Sequence, residues 1–136
     1  MKKFKALSLL VSLLIAPNLL VAGSFDGSAP LLCAVIDAIE CGADGNCVMG
    51  SAESENLPQF VEISFKDKVI KATKGSEIKR VSKIKQVDHN AGSLIMQGSE
   101  DGRGWNIIIN EKTGKLSATV AGDRVGFIVF GACTTI

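Results

Sequence analysis

The 136 residues contain no tyrosine, one tryptophan (Trp105) and one histidine (His89). A single histidine leaves room for one Ser–His–Asp or Cys–His arrangement, and only if His89 supplies the base. It stands in Asp88-His89-Asn90, read as an exposed turn, so no catalytic role is expected of it. Aromatics are also missing between Lys66 and Lys85, where Lys66, Lys68, Lys71, Lys74, Lys79, Arg80, Lys83 and Lys85 cluster. A basic stretch without interleaved rings offers no platform for bases to stack on, which argues against nucleic acid as a partner. No apolar run beyond the first 22 residues reaches the roughly 20 residues a membrane-spanning helix needs. Nor does any later segment carry the 3.6-residue periodicity of an amphipathic helix.

Basic residues are lacking from Gly23 to Phe65, a stretch that holds Asp26, Asp37, Glu40, Asp44, Glu53, Glu55 and Glu62 and so carries −7. Lys66 to Lys85 carries +6, and Gln86 to Ile136 carries −1. Such polarity can steer a charged partner. Pairing of the two stretches across neighbouring strands, or solvation of their outer faces, is the preferred reading.

What is present begins with a leader. Lys2, Lys3 and Lys5 precede an apolar Leu7–Ala16, Pro17-Asn18 breaks the run, and Leu20-Val21-Ala22 ends it on a small residue, the pattern of a cleaved secretory signal. The expected organisation is therefore a signal peptide at 1–22 and one domain at 23–136, periplasmic or secreted, with no membrane span after cleavage. The 12 basic and 14 acidic residues that remain give a net charge of −2. All four cysteines fall after residue 22, an even number in an exported chain, which favours two disulfides. Their spacing does not resemble the paired C-x-x-C knuckles of a zinc site. Cys41 and Cys47 flank Gly42-Ala43-Asp44-Gly45-Asn46, so the economical pairing is Cys41–Cys47 with Cys33–Cys133; two other connectivities stay open. Asp44-Gly45-Asn46 shares three residues with a calcium loop but lacks the remaining oxygen ligands, and a hairpin turn accounts for it better.

The rest reads as strands. Cys33–Cys41 is apolar, with Cys33, Val35, Ile39 and Cys41 on one strand face that Asp37 interrupts; a helix is the alternative there, and the tight turn that follows favours a strand. Phe60–Phe65 alternates, Val69–Thr73 is a short partner, Ile78–Val87 alternates imperfectly with Ile78, Arg80 and Ile84 on one face, and Leu94–Gln97 follows. His89–Gly92 is read as a turn and Gly98–Gly104 as a loop. Gly102 to Cys133 holds three apolar runs rich in Ile, Val, Thr and Phe, parted by Asn110–Gly114 and by Gly122-Asp123, the pattern of a closing three-stranded meander. The fold class expected is all-β: a small antiparallel meander of about eight strands, barrel or sandwich, stapled by disulfides. In architecture this resembles the calycin-type barrels, a group that includes lipocalins and periplasmic inhibitors of lysozyme and secreted proteases. The lipocalin G-x-W signature is absent, since Trp105 follows Arg103-Gly104 late in the chain, and the resemblance transfers no functional residue.

One cluster stands out as a candidate binding patch: Glu100, Asp101, Arg103 and Trp105, an aromatic face beside a guanidinium and two carboxylates. Adjacent carboxylates rarely face one substrate with separated pKa values, so acid–base chemistry there ranks below binding. No complete catalytic set, metal-ligand set or cofactor motif is present. The functional expectation is a non-enzymatic envelope binding protein, either a hydrolase inhibitor or a ligand-binding barrel, with a protein or a small molecule as partner. A small hydrolase at the Glu100–Trp105 stretch or an envelope-structural domain are the alternatives.

Overall fold

The computed structural model describes residues 24–136; the expected signal peptide lies outside the described residues. These residues form ten strands and no helix: β1 (Leu31–Gly42), β2 (Cys47–Gly50), β3 (Phe60–Ser64), β4 (Val69–Ala72), β5 (Val81–Lys83), β6 (Gln86–Asn90), β7 (Ser93–Glu100), β8 (Arg103–Asn110), β9 (Lys115–Gly122) and β10 (Val125–Thr135). All the pairings are antiparallel, in the order β5-β4-β3-β1-β10-β9-β8-β7-β6, with β2 added to the free half of β1. The sheet curls into a half-barrel.

Its two edges, β5 and β6, are successive stretches of one chain, separated only by Ile84 and Lys85. At that step the Ile84 N–H donates to the Lys68 carbonyl beside β4, and the next N–H, Lys85, donates to Gln97 on β7. One segment thus hands its hydrogen bonds from one side of the curl to the other, which protects edges that would otherwise recruit another chain. This is also why the single strand expected over Ile78–Val87 is two, and why there are ten strands rather than about eight.

Two further expectations are corrected. His89 is no turn residue: β6 runs on to Asn90, and the reversal falls at Ala91-Gly92, both with positive φ (50° and 77°). Gly98–Gly104 is not a loop either. β7 continues to Glu100 and β8 starts at Arg103, leaving only Asp101-Gly102 (φ 48° and 74°) as a two-residue turn of the Asp-Gly kind that suits the twist of a hairpin.

β1 is the hub. It pairs with β10 along its length, with β3 through Leu31–Ala34 and with β2 through Ala38–Cys41. A bulge between Val35 and Asp37 ejects Ile36 and turns the strand from one partner to the other. Both expected disulfides are formed. Cys33–Cys133 joins directly opposed residues of β1 and β10, 100 positions apart, and Cys41–Cys47 closes the β1–β2 hairpin. The acidic and basic segments meet where β3 adjoins β4, with Lys71 Nζ 3.1 Å from its cross-strand partner Glu62.

Alternation along each strand sends one set of side chains inward. Leu31, Ile63, Leu94, Met96 and Ile109 are fully buried on this face, each worth roughly 1.5–3 kcal/mol relative to exposure. Phe25 packs against this cluster and is anchored by its N–H to the Glu111 carbonyl at 3.2 Å. Its ring lies on Gly114, where φ is +69° and an added Cβ would come within 2.7 Å of both the ring and the Cys133 carbonyl. Glycine is the residue this contact admits.

Candidate functional site

Away from that filled end the inward positions shrink. Ala72, Ser82, Gly98 and Ala118 lie on β4, β5, β7 and β9 where the other end carries Ile, Leu and Met. Small residues there leave a cavity of about 170 Å³. Its wall is apolar, with Val61, Ile107, Leu116 and Val129 among the lining residues, and Leu57-Pro58 contribute from the chain before β3.

Glu100, Asp101, Arg103 and Trp105, the four residues singled out in the sequence, all line this cavity. Trp105 pairs with Gly98 across β8 and β7, and its indole sits against the glycine, so close that a Cβ at residue 98 would collide with the ring. The Trp105 Nε1–H is buried and has no hydrogen-bond partner among the described residues. Glu100 accepts a hydrogen bond from the Ser82 hydroxyl, which ties β7 to β5 inside the curl. Arg103 sits over the Phe127 ring at 5.9 Å from its centroid, within reach of a cation–π attraction. Lys71 and Arg80 complete the charged rim.

Sequence reasoning missed Arg80 and Ser82 as members of the site, although it placed Arg80 on the same face as Ile84, which is buried. The signal available was their two-residue spacing within one alternating stretch. Nothing local indicates that this stretch crosses to β7.

The other candidates lie elsewhere. His89 Nδ1 is 2.6 Å from Glu111 Oε1 and pairs in register with Leu94. Leu94 and Glu100 stand six positions apart along β7, about 20 Å at 3.3 Å per step, so His89 and the carboxylates share no site. Asp44-Gly45-Asn46 is the hairpin turn: Asn46 donates to Asp44 from its backbone at 3.2 Å and from Nδ2 at 2.6 Å, and these bonds hold the Asp44 carboxyl below its usual 3.8. Beside that turn, Glu40 is held above its usual 4.5. The chief cause is a hydrogen bond with Glu55, followed by desolvation and repulsion from Glu55, with Arg103 pulling the other way. Among the described residues no group of three or more His, Cys, Asp or Glu is placed to hold a metal ion, and no helix is long and apolar enough to cross a membrane.

The chain matches no protein-family model, no curated protein and no solved structure.

Proposed function

We propose that this is a small exported, non-enzymatic binding protein of the bacterial envelope, and that it holds a small ligand in the hollow end of its half-barrel. The observation that carries the reading is the cavity itself: an apolar concavity bordered by a few charged groups and one tryptophan is the usual form of a ligand seat. The leader-like first 22 residues support export, and two disulfides are consistent with an oxidising compartment outside the cytoplasm. Glu100 is engaged by Ser82, Asp101 sits exposed in a turn, and His89 is at a distance, so a hydrolytic reading at the Glu100–Trp105 stretch draws no support from a converging pair among these three.

Hydrolase inhibition is the second reading. The disulfide-closed β1–β2 hairpin favours it, because Val48 and Met49 are 67% and 70% exposed on a rigid projection. Native mass spectrometry of the oxidised mature protein, purified gently from the envelope fraction, separates the two. A bound small molecule, absent after Ala118→Phe fills the cavity, is the expected result. Stoichiometric capture of an enzyme with an empty cavity would overturn the ligand reading in favour of inhibition.

A further inference from the structure

We propose that the ligand of the hollow end is a free amphiphilic anion, its short apolar tail lodged against Val61, Trp105, Ile107 and Ala118 and its acidic head held at the rim by Arg80 and Arg103. This rests on the reading of the cavity as a ligand seat and adds the chemical class of what it takes.

The rim charges differ in whether they are already engaged. Lys71 is paired with Glu62, and Glu100 accepts from Ser82. Asp101 is exposed on the hairpin turn, free to stay in water. The two ion pairs among the described residues are Lys71–Glu62 and His89–Glu111, so neither Arg80 nor Arg103 has a carboxylate against it. Arg80 is half-buried. Arg103 lies over the Phe127 ring, and the carboxyl that feels its charge, Glu40, is hydrogen-bonded to Glu55 and makes no ion-pair contact with the guanidinium. Two guanidiniums outside any ion pair, beside an apolar chamber, are suited to an anion, which a planar guanidinium binds with two parallel hydrogen bonds. An ammonium head would meet both guanidiniums, with only the Ser82-bonded Glu100 and the exposed Asp101 as countercharges, and a neutral molecule would leave both cations unused. The size of the cavity sets the tail: a chamber of about 150 Å³ accommodates benzene, so about six carbons are held here, with the head emerging at the rim.

The test uses three soluble probes with one tail: octanoate, 1-octanol and octylammonium. Binding is read by the emission of Trp105, the single tryptophan, and independently by native mass spectrometry. Octanoate is expected to bind about tenfold or more tighter than 1-octanol, the margin of a hydrogen bond to a charged group, and octylammonium weakest. Arg80→Gln and Arg103→Gln are each expected to erase most of the octanoate advantage. Equal affinities for the three, or a preference for the ammonium, would overturn the anion assignment while leaving the ligand seat standing. No binding of any probe by either readout would overturn the seat itself, and the inference with it. Co-sedimentation with anionic phospholipid vesicles without a response to octanoate would overturn the free amphiphile in favour of a membrane lipid.

Discussion

Gly98 carries more of this structure than its size suggests. A methyl group there would collide with the Trp105 indole and come within 2.7 Å of the Lys83 carbonyl, in a place bounded by backbone on one side. Gly98→Ala is expected to destabilise the fold by about 1–3 kcal/mol, the usual range for overpacking, and to shift Trp105 emission as the ring is displaced. Urea unfolding followed by that emission checks both. Glu40 gives the residue-scale prediction in pH. Its folded pKa is raised, so between 4.5 and the raised value the folded chain holds more proton than the unfolded one. The stabilisation it provides below 4.5 is therefore lost as pH rises through the folded pKa, with the Glu55 hydrogen bond, desolvation and the Glu55 charge raising it and Arg103 opposing them. Asp26, lowered to about 2 by hydrogen bonds led by the Ser28 side chain, works in the opposite sense and loses its contribution as pH falls below 3.8. Glu40→Gln is expected to raise Tm at neutral pH, with the gain fading toward about pH 4. A gain that persists unchanged in acid would show that the carboxyl pair is not its source.

At the scale of elements, the β5–β6 crossing decides whether the sheet stays curled. The backbone bonds of Ile84 and Lys85 and the Ser82–Glu100 side-chain bond join its edges. Ser82→Ala leaves Glu100 without that donor and is expected to lower stability by about 1–3 kcal/mol, with hydrogen exchange rising first in β5 and β6. The strands themselves were largely legible in the sequence, since Phe60–Phe65 alternates cleanly, the runs of the closing meander are rich in Ile, Val, Thr and Phe, and the turns carry Gly, Asn or Asp. The Asp101-Gly102 reversal was obscured by the glycines on either side of it, which gave a tight hairpin the look of a loop. The place of Arg80 and Ser82 in the site was illegible for a different reason. Ser82 and Glu100 stand 18 residues apart on strands that are not neighbours in the sheet order, and only closure of the curl brings them together.

For the molecule as a whole, the covalent frame and the hollow are the two features that matter. The Cys33–Cys133 bridge spans 100 positions and ties β1 to β10 beside the core, whereas Cys41–Cys47 spans 6. Chain-entropy arithmetic assigns about 4–5 kcal/mol to the first and about 2 kcal/mol to the second, so Cys33→Ser is expected to reduce the urea midpoint roughly twice as much as Cys41→Ser. Equal reductions would mean that strand pairing alone holds β1 to β10. The acidic and basic segments are drawn together at β3 and β4, which accounts locally for part of a charge asymmetry that the sequence presents as a possible steering field. The central claim is that the half-barrel is filled at the Phe25 end and hollow beneath Trp105. Diffraction from crystals of the oxidised protein under xenon pressure tests it most directly, because dry apolar cavities take up the gas. One ordered xenon among Val61, Trp105, Ile107 and Ala118, lost in Ala118→Phe, is the expected result. Side chains packed through that space, with no xenon site, would contradict it.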